Sequence, residues 1–387
     1  MRLFHCDQCG HLVFFESVHC VNCGAALAYL PDCGDLGAMV AVEQSSQLAP
    51  APGTPPALQW QRITARASSS AQLYRMCANR DQYQVCNFAI PAHEPYSLCS
   101  ACRQTLVLPD LSVAGNTLRW QKLESAKRRL YYTLARLGLH PEHAHWTPHY
   151  QFLADMVDQP PVVTGHANGI ITINIAEADD DERVRRRVAL YEPYRTLLGH
   201  LRHESGHFFW DKLVRDGGEL DSFRQLFGDE RQSYPQALEF YYANPPQYMQ
   251  WSAHHVSAYA SAHPWEDWAE SWAHYLHMVD VLETAASYHT GLTMTGSADA
   301  QSVSIGDPFT EPPPSFEHMV AQWVPVTLLL NSLNRSLGQQ DAYPFAVSAG
   351  ALQKLRYVHD IVRRPHAIDS HASTVLSSQG TGGRLAY

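Results

Sequence analysis

The chain has 387 residues, 45% of them hydrophobic, with 22 histidines, nine cysteines and a formal net charge of −10. That length accommodates one large domain plus one or two small ones, and the negative balance without a long basic run excludes an electrostatic nucleic-acid footprint and predicts weak repulsion from acidic membrane surfaces. The N-terminus, MRLFHCDQCGH, has no basic segment followed by an apolar one, and no apolar run of about eighteen residues occurs, so the expected setting is cytoplasmic, with no membrane anchor.

In such a reducing compartment, clustered cysteines hold metal more often than they form disulfides. Residues 1–44 contain Cys6-x2-Cys9 and Cys20-x2-Cys23, separated by ten residues, a spacing that lets a short hairpin bring four thiolates around one tetrahedral Zn²⁺. A Ser/Pro/Ala stretch, SSQLAPAPGTPPA at 45–57, reads as a linker. Cys77, Cys86, Cys99 and Cys102, in a segment at 58–109, supply a second set of four ligands for a second structural Zn²⁺. A redox dithiol is disfavoured for both, because no βαβ pattern surrounds them and they come in quartets. Cys33 is left over and reads as a buried or free thiol. Segments this small lack the core to fold alone, and metal binding supplies that free energy.

Cysteine is absent after Cys102, which places a boundary near Asp110 and a larger domain at 110–364. The pattern predicts a helix at 118–138, a strand at 169–176 (GIITINIA), long helices at 183–214 and 264–285, and a helical region at 315–364 broken by Gly338 and Pro344. Gly165 and His166, just before the strand, are candidates for the rim of a cleft. The tail, 365–387, reads as flexible.

Within the first long helix lies His203-Glu204-Ser205-Gly206-His207. Histidines four apart on a helix project from one face, the separation two imidazoles need to share one Zn²⁺, and Glu204 between them can take a proton from a water on that ion. Leu197, Leu198, Leu201, Phe208 and Trp210 are expected to pack. His200, three residues before His203, reads as a histidine hydrogen-bonded in the core rather than a ligand.

A third ligand is expected from YASAHPWEDWAESW, residues 259–272. Pro264 and the acids after it suit the first turn of a helix. On that helix Trp265, Trp268, Ala269 and Trp272 share one face, while Glu266 and Glu270 share another about a quarter-turn away. Two carboxylates in register on a buried face repel unless one binds a cation and the other accepts a hydrogen bond from a metal-bound histidine. Glu266 is therefore expected to ligate zinc and Glu270 to stand behind a histidine, with Asp267 pointing off that face to cap the helix or meet solvent.

The pairing of HExxH with a downstream E-x-x-x-[DE] resembles the gluzincin metallopeptidases, the group of thermolysin and anthrax lethal factor. The resemblance implies that His203, His207 and Glu266 are zinc ligands, Glu204 the general base and Glu270 the residue orienting a zinc histidine. It also implies, through the lethal factor variant, that Tyr259, seven residues before Glu266, hydrogen-bonds the developing oxyanion. More broadly, YRTLLGHLRHESGHFFW, HPWEDWAESWAHYLH and NRSLG...YPF are similar to a bacterial family that joins an N-terminal zinc ribbon to a zinc-binding metallopeptidase. The implied fold is α+β: zinc-ribbon modules of short β-hairpins, then a mostly helical zincin-like domain with a small sheet. The implied reaction is hydrolysis of the peptide bonds of a peptide or protein substrate, with one catalytic and two structural zinc ions and the ribbons available to a protein partner. Two alternatives stay open: a zinc-stabilised adaptor with an inactive core, and an amidohydrolase acting on a non-peptide amide.

Overall fold

The computed structural model describes residues 1–42, 58–63, 72–139, 147–189, 196–293, 302–345 and 347–364; the expected linker at 45–57 and tail at 365–387 lie outside them. The fold is α+β, a strand-rich, cysteine-bearing N-terminal region followed by a mostly helical domain with a small sheet. Strands β1 (Phe4–His5) and β2 (Leu12–Val13) pair as a hairpin that carries the first cysteines. An antiparallel sheet then runs in chain order through β3 (Ala26–Leu30), β4 (Asp35–Val42), β5 (Gln59–Arg62), β6 (Leu73–Met76) and β7 (Ala89–Pro91). It draws strands from both cysteine-bearing segments, with short helices α1 (Ala78–Tyr83) and α2 (Ser100–Arg103) inserted around the second quartet.

The second sheet has the order β10-β11-β9-β8, from β8 (Thr105–Val107), β9 (His149–Leu153), β10 (Gly165–Ala167) and β11 (Ile170–Asn174). β9 lies parallel to both its neighbours, and β10 folds back antiparallel as the edge strand. Ile171 and Ile173 point inward, as period-two alternation requires. The expected strand at 169–176 stops at Asn174, whose side chain accepts from the Ala176 N–H and starts a 3-10 turn over Ile175–Ala178.

Helices α3 (Asn116–Arg136), α4 (Asp180–Ala189), α5 (Leu197–Phe209), α6 (Leu220–Phe227), α7 (Tyr234–Ala243), α8 (Tyr248–Trp251), α9 (Pro264–Ser287), α10 (Phe316–Ser336) and α11 (Ala349–Val362) complete the described elements, with a hairpin of β12 (Gly291–Thr293) and β13 (Ser302–Ser304). The single helix expected at 183–214 is two helices. Thr196 is extended, at φ −112° and ψ 158°, and its side chain accepts from the Gly199 N–H, so it caps a new helix instead of continuing an old one. Downstream of α5 the chain widens into a π-helical turn over Trp210–Arg215. The break expected between 315 and 364 is present: α10 ends before Gly338, which takes φ +72°, and α11 starts at a Ser348 cap.

One core joins α3, the second sheet, α5, α9, α10 and α11, with Trp120, Phe152, Leu201, Trp268, Trp272 and Leu355 fully buried. A second core surrounds the cysteines and takes in Tyr131 and Tyr132 of α3. No helix among the described residues is long and apolar enough to cross a membrane.

Candidate metal centre

The pair α5 and α9 sets the centre, and its closeness depends on small residues. A Cβ on Gly206 would lie 2.9 Å from Ala269 Cα, so the two backbones touch where HESGH crosses α9. Two tryptophans of α9 pin the crossing: Trp268 Nε1 donates to the Gly206 carbonyl at 2.8 Å and Trp272 Nε1 to Ser205 Oγ at 3.0 Å. The start of α9 is fixed by His263, whose side chain accepts from the Trp265 N–H, and by Pro264 in the first turn.

This crossing brings His203, His207 and Glu266 together, with their ligand atoms within 4.8 Å of one another and all three side chains buried. Glu266 Oε2 lies 2.9 Å from His203 Nε2 and 3.6 Å from His207 Nε2. Tetrahedral ligands at zinc distances of about 2.0–2.1 Å would stand about 3.4 Å apart, so the observed spacings bracket what the ion requires. The donor chemistry fits as well. Glu266 Oε2 is buried without a well-aligned hydrogen-bond donor, an arrangement that costs free energy unless a cation meets it.

The tautomer of His203 follows from its far side. Its Nδ1 is 2.7 Å from Glu270 Oε1, whose other oxygen accepts from Ser257 Oγ at 2.6 Å. A carboxylate there places the proton on Nδ1 and leaves the Nε2 lone pair for a metal. Burial pulls the His203 pKa down, but Glu266 and Glu270 outweigh it and hold it well above the ordinary value. Burial likewise raises Glu266, yet His207 and His203 bring it well below the usual carboxylate range.

Glu204 is buried beside these three residues. Burial raises its pKa and the surrounding His200, His203 and His207 lower it further than burial raises it. Its Oε2 is buried with no hydrogen-bond partner. Tyr259 stacks obliquely on His203, with ring centroids 5.9 Å apart, and burial together with the Glu266 charge raises its pKa well above that of a free phenol. Its hydroxyl is therefore a neutral donor at any ordinary pH.

Each expected site residue of the helical domain thus lies at this centre. The outcome differs for Asp267, expected to cap the helix or meet solvent: it is 1% exposed and ion-pairs with Lys354 of α11, with His255 Nε2 3.6 Å away. The acid-rich turn faces two cation sites, the metal residues for Glu266 and a lysine for Asp267. His200 is hydrogen-bonded, as expected, though only partly buried: its Nδ1 meets Glu177 and its other ring nitrogen faces Glu204. Tyr234, whose hydroxyl donates to Glu266 Oε1 at 2.5 Å, was not foreseen; Trp265, expected on the packing face of α9, places its ring 3.9 Å from that of His207. No spacing rule links Tyr234 to the metal residues, because α7 reaches Glu266 only through tertiary packing.

At the other end of the chain, the thiols of each cysteine quartet also lie within 4.8 Å of one another. Within the first, Cys6 Sγ is 3.7 Å from Cys23 Sγ and Cys9 Sγ 3.6 Å from Cys20 Sγ; within the second, Cys86 Sγ is 3.8 Å from Cys99 Sγ. Four sulfurs at about 2.3 Å from one zinc stand about 3.8 Å apart, and disulfide bonding at these distances is impossible. The two knuckles of the first quartet are alike: Gly10 and Gly24 donate to the carbonyls of Cys6 and Cys20 with φ +71° and +75°. Cys77 and Cys99 of the second quartet sit at helix N-termini, and the Cys102 N–H points at Cys99 Sγ. Cys33 lies outside both, exposed.

Comparison with known proteins agrees with this division of chemistry. Residues 3–113 match a family model described as a zinc-ribbon domain, and residues 116–361 match one described as "Putative zinc-binding metallo-peptidase". Similar proteins include an uncharacterised protein of Mycobacterium bovis and two of Mycobacterium tuberculosis strains, each 35% identical over 371 residues that cover 94% of this chain and 95% of the relative. No solved structure matches the chain significantly.

Proposed function

The chain belongs to the zinc-binding metallo-peptidase family, and on that premise we propose that it hydrolyses peptide bonds at a site where His203, His207 and Glu266 hold a catalytic zinc ion, each cysteine quartet holding a structural one. A zinc ion with an open position supplies Lewis acidity and lowers the pKa of water. Glu204 is the general base: Oε2 takes the proton of the attacking water and later returns it to the leaving amine. Tyr259 donates to the oxyanion that develops on the scissile carbonyl. Glu270 fixes the ring of His203. The edge strand β10 offers backbone groups to an extended peptide, which favours a peptide or protein substrate.

The observation that carries this reading is the buried, unpartnered Glu204 oxygen beside three convergent metal ligands. A site that only held a cation would bear the cost of that oxygen without using it. Elemental analysis of the purified protein should give three zinc ions per chain, and two in a His203→Ala, His207→Ala double variant. Glu204→Gln should keep all three and lose every cleavage that the parent makes in a diverse peptide library read by mass spectrometry. Identical cleavage products from parent and Glu204→Gln would move the chemistry elsewhere.

A further inference from the structure

Holding a cation requires His203, His207 and Glu266, but the structure builds a further file of polar groups leading away from them. Thr164 Oγ1 donates to Glu177 Oε1 at 2.7 Å, His200 Nδ1 stands 2.6 Å from Glu177 Oε2, and His200 Nε2 stands 3.1 Å from Glu204 Oε1. Glu177 is 1% exposed and Glu204 5%, so the partly buried imidazole lies between two buried carboxylates. Apolar side chains of the same volume would fill that space without the cost of desolvating charge.

The arrangement acts on one bond rotation. The terminal torsion of a glutamate is broad and nearly two-fold, so an unheld carboxylate presents either oxygen. Here His200, four residues before Glu204 on the same face of α5, engages Oε1, and Oε2 is the oxygen left without a partner. Glu177 comes from the 3-10 turn after β11, so the clasp also ties α5 to the second sheet. We infer that His200, oriented by Glu177, is a positioning residue for Glu204, occupying Oε1 so that Oε2 is the oxygen that accepts the proton. The inference rests on the general-base role proposed for Glu204.

The test uses the zinc-loaded full chain and two readouts. Acetohydroxamic acid chelates zinc through its two oxygens and gives its hydroxyl proton to a nearby carboxylate, so its affinity reports on Glu204 without turnover. His200→Leu and Glu204→Gln should each weaken it about 10-fold or more, and the double variant should be no weaker than Glu204→Gln alone, because both act through the same carboxylate. His200→Gln, which keeps an amide donor, should recover most of the affinity. On a peptide that the parent cleaves, His200→Leu should lower kcat about 10–100-fold with KM little changed and zinc content intact. Glu177→Gln should shift both readouts in the same direction.

Parental hydroxamate affinity in His200→Leu, additive losses in the double variant, or loss of a zinc ion from His200→Leu would each overturn the inference. Should His200→Leu fail to fold, Glu177→Gln carries the test, and parental affinity there is the overturning result. Coupled hydroxamate losses in a parent that cleaves no peptide would uphold the positioning role and refute the peptidase reading.

Discussion

Two tyrosines at the metal residues divide the work in a way that measurement can separate. Tyr234 touches the proposed ligand Glu266, donating to its Oε1 and so leaving Oε2 free to face a metal, whereas Tyr259 lies over His203 with its hydroxyl kept protonated by burial and the Glu266 charge. Tyr234→Phe should therefore weaken zinc about 10–100-fold in competition with a chelator, as the loss of a group supporting a ligand does. Tyr259→Phe should leave zinc affinity unchanged and lower kcat about 100–1,000-fold, the cost of one oxyanion donor. Reversal of the two phenotypes would exchange the roles. Of these two residues only Tyr259 was named from the sequence, through the resemblance to the lethal factor variant, in which a tyrosine stands seven residues before the ligand glutamate. Tyr234, Ser257 and Glu177 reach the centre from other elements, and no periodicity records such contacts. Asp267 shows the same limit from the other side: its carboxyl was visible, but Lys354, which neutralises it, comes from α11.

At the scale of elements, the crossing of α5 and α9 is the feature on which the centre depends. That HExxH and the ExxxE after α9's start would each present their residues on one face was readable because helices convert spacing into faces, and the structure brings His203, His207 and Glu266 together. The crossing itself was not readable, since it follows from Gly206 meeting Ala269 and from two indole hydrogen bonds that link distant segments. Gly206, the fourth residue of the motif, is thus a packing residue. Gly206→Ala would drive a methyl group into the α9 backbone, where no rotamer relieves it, and should cost about 1–3 kcal/mol in denaturant unfolding together with weakened zinc at the His203 site. A variant as stable as the parent would mean that the helices separate freely. The split of the expected 183–214 helix belongs to this scale too: Pro193 and Thr196 are the local signals at the junction, and the Thr196 side chain caps the start of α5.

Across the whole molecule, buried histidines make the fold sensitive to acid. His359 is pushed down to about 4 by burial and by Arg363, and His274 to about 4 by burial despite the nearby Glu270 charge. In the unfolded chain each takes a proton near pH 6.5, while in the fold each stays neutral to about pH 4. At these two histidines the unfolded state binds more protons throughout that interval, so their contribution to stability is level above about pH 6.5 and falls as pH drops towards 4. Melting temperature should follow this course, and the gap between the parent and His359→Asn should narrow as pH falls from 7 to about 4.5; a constant gap would show that His359 takes no part. The two-part character of the molecule was legible from where cysteine stops. What the sequence concealed is that α3 contributes to both cores, with Tyr131 and Tyr132 among the aromatics around the quartets. The Tyr132 hydroxyl in turn donates to Glu283 at 2.6 Å, and α9 runs from Glu283 back to Glu266 with neither glycine nor proline between them, about 25 Å of unbroken helix. In mechanical terms that helix is a stiff rod held by Tyr132 of α3 at one end and bearing the proposed ligand Glu266 at the other. With no joint to absorb it, a displacement at the held end arrives at Glu266 as a displacement of the carboxylate.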